Sequence, residues 1–188
     1  MILTPENEYS VLLDACVLVP MPLCDTLLRL AEEPAFYRPL WSEQILQEVG
    51  STLEQKFHKS AHQVERRLGF MREHFPEALV VVPDDLPKAL TCIPDENDRH
   101  VLAAAIRGGA NAIVTLNFRD FPEDCLQQYG IMRQSPDDFL VHQFHLNSNL
   151  LLEKFDEQAS LIREEREKLL ARFEQSTPQF YALMSERL

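Results

Sequence analysis

The sequence contains few glycines, and it lacks the motifs that nucleotide-binding and membrane-spanning proteins require. Only five of the 188 residues are glycine, and no glycine-rich phosphate-binding loop is present. No stretch of about 18 apolar residues occurs that would cross a bilayer. The N-terminal segment has no basic stretch followed by an apolar run, so we expect no signal peptide. These features predict a cytoplasmic protein that has no membrane contact and no organic cofactor.

Cysteine is also scarce, and its spacing predicts neither a zinc site nor a disulfide framework. The four cysteines are Cys16, Cys24, Cys92 and Cys125, and none of them forms a CxxC pair. We interpret them as reduced, mostly buried thiols in a reducing compartment.

Acidic residues outnumber basic residues in this chain. There are 30 acidic and 18 basic residues, and the net charge is −12. A protein that coats nucleic acid through bulk electrostatics needs a positive field, and this class is excluded. The composition is compatible with an enzyme that binds cations and contacts nucleic acid locally, and solubility alone is the alternative explanation of the acidity. Residues 51–72 carry five basic and two acidic side chains, which is either a phosphate-contacting patch or a solvated helix face.

Short apolar runs alternate with helical patterns along most of the chain. Runs at residues 9–13, 79–82 and 112–116 have the character of buried strands, and residues 131–132 add a short one. This alternation predicts an α/β fold with a parallel sheet of four or five strands.

Helix boundaries are marked by polar caps and by glycine. Ser42, Ser60 and Ser135 are predicted N-caps, and Pro136 occupies the first turn of its helix. Gly109 is predicted to end the helix that begins near Asp98. His100 is expected on the surface of that helix.

The C-terminal part of the chain is predicted to be a separate helical extension. A polar break at residues 147–149 divides a domain at 1–146 from an extension at 147–188. Apolar residues recur at helical spacing from Leu150 to Phe173, which predicts one long helix. Its apolar stripe should be buried on its own domain or on a second copy, because the exposed patch would be too large.

Four carboxylates are predicted to meet at one edge of the sheet. Asp14 and Asp120 each follow a buried strand, and ligands of parallel α/β sheets bind beyond the strand C-termini. Asp98 begins a helix that leads into the strand before Asp120, and Glu48 lies on a helix beside the sheet. Converging carboxylates repel each other unless a cation neutralises them, and oxygen ligands favour Mg²⁺ or Mn²⁺.

Four segments carry a resemblance to a known family. They are residues 10–15 (SVLLDA), 41–48 (WSEQILQE), 94–105 (PDENDRHVLAAA) and 113–121 (IVTLNFRDF). Together they resemble PIN-domain proteins, and the pattern is similar to that of bacterial VapC-type toxins. The similarity extends roughly over residues 9–145.

The resemblance implies a PIN-like three-layer sandwich and a Mg²⁺- or Mn²⁺-dependent endoribonuclease, with an antitoxin protein and a homodimer as candidate assemblies. It assigns the catalytic metal ligands by motif position, and the four are Asp14, Glu48, Asp98 and Asp120. Asp95 would be an accessory metal ligand, while Thr115 and Asn117 would bind substrate or orient water. Family members often carry aspartate where this chain has Asn117, so this position adds no charge.

Two other functions fit part of the pattern. A phosphatase or phosphotransferase could use Asp14 as nucleophile, but that chemistry usually requires a second aspartate where this chain has Cys16. A PIN-fold module that binds RNA or protein without cutting is the alternative from another class. Four clustered carboxylates argue against it, because unused acids would only destabilise the fold.

Overall fold

Five parallel strands form one sheet in the computed structural model, which describes residues 9–187. The strands are β1 (Ser10–Leu13), β2 (Arg38–Ser42), β3 (Leu79–Val80), β4 (Ala112–Val114) and β5 (Met132–Gln134). Their order is β3-β2-β1-β4-β5, and every neighbouring pair is parallel. Helices cover both sides, which confirms the predicted PIN-like α/β fold with helices at its C-terminal end. The N-terminal residues considered for a signal peptide lie outside the described part.

The helices connect the strands and complete the C-terminal part of the chain. In chain order they are α1 (Ala15–Leu18), α2 (Leu23–Ala31), α3 (Glu43–Gln55), α4 (Ala61–His74), α5 (Leu86–Ala89), α6 (Arg99–Gly108), α7 (Glu123–Gln127), α8 (Pro136–Leu146), α9 (Ser148–Ile162), α10 (Arg166–Ala171) and α11 (Pro178–Ser185). Short 3-10 helices lie at Pro76–Ala78 and Glu96–Asp98. None of the helices among residues 9–187 combines the length and the hydrophobicity needed to cross a bilayer.

The predicted caps account for several helix boundaries. Ser42 accepts a hydrogen bond from the backbone N–H of Ile45, and Ser60 forms a capping box with Gln63. Ser135 caps α8, with Pro136 in its first turn. Gly109 has φ of +66°, the left-handed conformation that ends α6.

Strand β2 was not among the predicted strands, because Pro39 lies within it. A proline in an interior strand normally removes a ladder hydrogen bond. Here β3 pairs only with Trp41 and Ser42, so the strand has no neighbour on the β3 side at Pro39. The proline is therefore tolerated in a strand that is interior only over its last residues.

The predicted single helix from Leu150 to Phe173 is wrong, because the chain reverses in the middle. Helix α9 ends at Ile162, and Arg163 has φ of +57°, in the left-handed region. The Arg166 guanidinium pairs with the Asp156 carboxylate, which holds α10 against α9. The reversal brings the rings of Phe155 and Phe173 to 5.7 Å between centroids.

The helices after residue 147 pack on the rest of the chain through apolar and polar contacts. Phe155 and Phe173 belong to the same apolar core as the strands, so the predicted burial of the stripe occurs within one chain. Gln158 accepts a hydrogen bond of 2.7 Å from Thr26 on α2, and Lys154 donates to the carbonyl of Glu32. The division at residue 147 stays a prediction.

Two of the four cysteines form a disulfide, which corrects the expectation of four reduced thiols. Cys92 and Cys125 are linked, with their Cα atoms 5.6 Å apart. Cys16 and Cys24 are free, and Cys24 is buried. The linked pair is 33 residues apart in sequence, a separation that no spacing rule identifies.

Candidate active site

Asp14 and Thr115 meet where β1 and β4 end side by side. The backbone N–H of Asp14 donates to the carbonyl of Val114, which fixes the first residue after β1 against β4. The Thr115 hydroxyl then donates to Asp14 Oδ2 at 2.7 Å. Asp14 is only 7% exposed and Thr115 is fully buried, so the carboxylate has a fixed orientation.

Cys16 is a further neighbour of Asp14 that the sequence did not single out. Its thiol donates to Asp14 Oδ2 at 3.1 Å and accepts from the backbone N–H of Leu116. Burial, followed by the Asp14 charge, raises the pKa of Cys16 to about 12. The residue is therefore a protonated hydrogen-bond donor, since a nucleophilic or metal-binding cysteine requires the thiolate.

Asp98 lies among other acids at the start of α6. Burial, followed by the charges of Asp120, Asp95 and Asp14, raises the pKa of Asp98 to about 6, against a smaller lowering by His100. Asp95 is exposed and accepts bonds from the backbone and side-chain nitrogens of Asn97. The fold thus brings together three of the predicted ligands, Asp14, Asp98 and Asp120. We call these three residues and Asp95 the acidic cluster.

Glu48 contacts His100, whose charge acts on Asp98. His100 Nε2 lies 2.7 Å from Glu48 Oε1, although neither ring nitrogen has a partner in hydrogen-bond geometry. The prediction that His100 lies on the helix surface is wrong, because the residue is 4% exposed. Helix α6 packs against β1 and β2, which buries this side of its first turn. The feature of the sequence that could have placed His100 at the site was its position two residues after Asp98.

The loop after β4 supplies the remaining predicted residues. The backbone N–H of Asn117 donates to the Thr115 hydroxyl at 2.9 Å, so that hydroxyl links the loop to Asp14. Asp120 lies half-buried further along this loop. Thr115 contacts Asp14 and Asn117 contacts Thr115, while the roles of both residues stay predictions.

The acidic cluster fits a divalent cation by its chemistry, but it does not form a finished binding site. Among residues 9–187, no three His, Cys, Asp or Glu side chains are arranged closely enough to hold a metal ion. The Asp98 pKa is nonetheless raised by three neighbouring carboxylates, which indicates an excess of negative charge. Carboxylate oxygens under mutual repulsion are the ligands that Mg²⁺ and Mn²⁺ prefer.

The basic stretch at residues 51–72 is only partly available for phosphate. The Arg67 guanidinium donates to the carbonyls of Leu18 and Val19. Arg72 pairs with Glu43 at 2.6 Å. Two of the five cations thus have structural contacts, while Lys56, Lys59 and Arg66 are exposed.

Comparison with known proteins identifies the family of this chain. A family model described as PIN domain matches residues 10–119, which is more than half of the chain. The chain belongs to the PIN-domain family. The matched range includes Asp14, Glu48 and Asp98, and Asp120 lies one residue beyond it.

One curated relative of this PIN-domain chain is "Putative ribonuclease VapC50" from Mycobacterium tuberculosis (strain ATCC 25618 / H37Rv). The two are 55% identical over 49 residues. The matched stretch covers 26% of this chain and 29% of the relative, well under two thirds of its length.

Proposed function

We propose that this PIN-domain chain is an endoribonuclease that hydrolyses RNA phosphodiester bonds with the help of Mg²⁺ or Mn²⁺. The observation that carries the proposal is the cluster of Asp14, Asp95 and Asp120 charges around Asp98. Perturbed acids of this kind concentrate at functional sites, because a fold gains nothing from unneutralised carboxylates. The relative named as a ribonuclease supports the same reaction class.

We assign the metal ligands to Asp14, Glu48, Asp98 and Asp120, with Asp95 as an accessory ligand. A bound divalent cation supplies an activated water and neutralises charge that develops on the phosphate. Thr115 and Cys16 both donate to Asp14 Oδ2, and this orients the carboxylate that would hold the ion.

The residues beside the acids have supporting roles in this proposal. His100 lies 2.7 Å from Glu48 between Nε2 and Oε1 and so limits where this carboxylate can lie. Asn117, fixed by its bond to the Thr115 hydroxyl, binds the substrate phosphate or the attacking water together with Thr115. The carbonyl and amide groups of Asn117 suit this task, since they donate and accept hydrogen bonds without adding charge.

The proposal extends to the biological setting of the enzyme. We propose that it acts on RNA in the cytoplasm, as the toxin of a toxin–antitoxin pair, with an antitoxin protein as its partner. The relative's VapC name and the PIN domain support this setting. In a reducing cytoplasm, the Cys92–Cys125 pair would be present largely as two thiols. A homodimer is part of the proposal, and light scattering on the purified chain tests it.

The decisive experiment measures metal binding and RNA cleavage separately on the same protein. Calorimetric titration with Mn²⁺ is compared between the unaltered chain and Asp98→Asn, and cleavage of single-stranded and structured RNAs is followed with Mn²⁺ or with EDTA. We expect binding of Mn²⁺ that weakens in the variant, and cleavage that EDTA abolishes.

Each alternative result has a defined meaning. Binding of RNA or protein without cleavage would identify the silent PIN-fold module. The contact between His100 and Glu48 is the observation that makes this outcome worth testing, because it gives one predicted ligand a protein partner. Cleavage that persists in EDTA would contradict the metal-dependent mechanism. Failure to bind Mn²⁺ would remove the acidic cluster as a cation site.

A further inference from the structure

An arginine on β5 supports an aromatic ring in the loop that carries Asn117 and Asp120. The Arg133 guanidinium carbon lies 4.3 Å from the centroid of the Phe118 ring. Its Nη1 donates to the carbonyl of Phe118 at 2.7 Å and to that of Phe121 at 2.8 Å. Three contacts therefore fix the position of the guanidinium against one side of the ring.

The ring is also accessible from outside. Phe118 is 38% exposed, and Leu116 on the same loop is 56% exposed. Single exposed apolar residues are common on protein surfaces, so exposure alone would identify nothing. Phe118 differs because it is held by Arg133 and lies between two predicted site residues. Its Cα is at most about 7 Å from that of Asp120, given the reach of two residues.

The charge of Arg133 distinguishes this pair from its surroundings. Within residues 9–187, the acceptors that contact the Arg133 guanidinium are the carbonyl oxygens of Phe118 and Phe121, which neutralise no charge. A full positive charge thus lies under an aromatic ring in a chain whose net charge is −12. Aromatic rings and arginine planes are the groups on which proteins stack the bases of single-stranded RNA, and arginine also attracts phosphate.

We infer that Phe118, supported by Arg133, is a stacking platform for a nucleobase next to the phosphate that is cut. The inference rests on the proposed nuclease function and names its substrate class, single-stranded RNA. A base in a duplex is already stacked on its neighbours, so the platform selects unpaired nucleotides. Stacking needs a flat ring and reads no base edge, so sequence preference at this nucleotide should be weak.

The first test compares side chains at position 118 while RNA stays intact. In an Asp14→Asn background, which prevents cleavage, binding of a short fluorescein-labelled single-stranded RNA is measured by anisotropy. Phe118→Leu keeps an apolar group without a ring, and we expect its affinity to fall roughly 10-fold. Phe118→Tyr keeps the ring and should bind like the parent. Tyr129→Leu is the matched control, because Tyr129 is 41% exposed and follows α7, outside both the loop at residues 115–121 and the basic stretch.

The second test reports stacking directly. Trp41 is the chain's single tryptophan and is fully buried, so Phe118→Trp introduces an exposed fluorophore at the platform. We expect RNA to quench its emission, and a matched RNA lacking bases at the central positions to quench it much less.

The outcomes separate this inference from the proposed function. If Phe118→Leu binds RNA like the parent, or if the abasic RNA quenches equally, the platform is wrong even when the unaltered chain cuts RNA. If the Leu variant loses only binding to a protein partner, the ring is a protein contact and the inference also fails. If the parent neither binds nor cuts RNA, the proposed function fails and this inference fails with it.

Discussion

The acidic cluster and the C-terminal helices bury polar groups in opposite ways. Where the C-terminal helices pack, two buried ionic groups have hydrogen-bond partners: the carboxylate of Asp137 on α8 accepts from the backbone N–H of Phe180 at 2.8 Å and of Gln179 at 3.1 Å. The buried ammonium of Lys154 donates to the carbonyl of Glu32 at 2.8 Å. These groups stabilise the packing of α9 and α11, and burying them unpaired would be costly.

At the acidic cluster, the charged groups that act on Asp98 are three further carboxylates and His100. Burial and the Asp120 charge raise the pKa of Asp98, and no cationic partner is strong enough to reverse this shift. Folds violate the rule of matching buried charges mainly at functional sites. The difference between the two regions thus separates groups that hold the chain together from groups that are available to a ligand.

The largest effect is expected from Asp14→Asn, which removes one charge from the acidic cluster. RNA cleavage should fall by about 1,000-fold or more, since a preorganised charged group of the site is lost. Metal-free stability should stay the same or rise, because repulsion within the cluster decreases. Cleavage assays and thermal melts in EDTA measure both effects. Asp84→Asn, at an exposed acid outside the cluster, is the control, and a cleavage rate equal to this control would reject the role of Asp14.

The disulfide gives the next largest effect, and it should act on the acidic cluster rather than on the C-terminal helices. Cys92 precedes Asp95, and Cys125 lies on α7 after Asp120, so the bond joins the two segments that carry these acids. Reduction should lower the free energy of unfolding by about 3 kcal/mol. Denaturant unfolding with and without reductant measures this loss.

A double variant, Cys92→Ser with Cys125→Ser, is the control for reduction, because its stability should not respond to reductant. Hydrogen exchange should increase at residues 92–125 while α9 and α11 keep their protection. Equal loss of protection in both regions would show that the disulfide does not act locally.

Asp137→Ala tests the packing of the C-terminal helices, where the Asp137 carboxylate has hydrogen-bond partners. It leaves two N–H groups at the start of α11 without their acceptor and should cost about 2 kcal/mol of stability. RNA cleavage below the melting temperature should be unchanged. Chemical denaturation of this variant is compared with Glu174→Ala, which alters an exposed acid. A variant that loses cleavage without losing stability would mean that the two regions are not separate.

The smallest effect is the pH dependence of stability without metal. The pKa of Asp98 is about 6 in the folded protein and about 4 in the unfolded chain, so the folded state holds its proton more tightly. Its contribution to stability is fully present below about pH 4 and is lost as the pH rises through about 6. Asp98→Asn should therefore gain stability relative to the unaltered chain between these values. Denaturant midpoints in EDTA measure the difference, and a constant difference across the range would contradict the assignment.

Local signals in the sequence were sufficient where one residue type has one physical use. Ser60 and Gly109 marked helix boundaries because a capping hydroxyl and a left-handed φ leave few alternatives. Strand β2 was missed because the cost of Pro39 depends on which neighbouring strand is present at that residue. The reversal at Arg163 was missed because no glycine marks its left-handed conformation.

The candidate site shows the same division. The positions of Asp14 and Asp120 followed from the rule that parallel strands end at one edge, and Thr115 lies beside Asp14 as expected. The contact of His100 with Glu48 depends on how α6 packs across the sheet, which helical periodicity does not encode. The Cys92–Cys125 bond depends on two loops meeting in space, and sequence separation gives no indication of it.

The contact between α2 and α9 also affects how the chain folds during synthesis. Thr26 and its partner Gln158 are 132 residues apart, and Glu32 and Lys154 are 122 apart. A growing chain folds from its N-terminus, and contacts of long sequence separation form late. The face of α2 therefore stays uncovered on the ribosome until α9 has emerged, after all the acids of the cluster have been made. A chain built in this way reaches its stable form only after α9 has been synthesised.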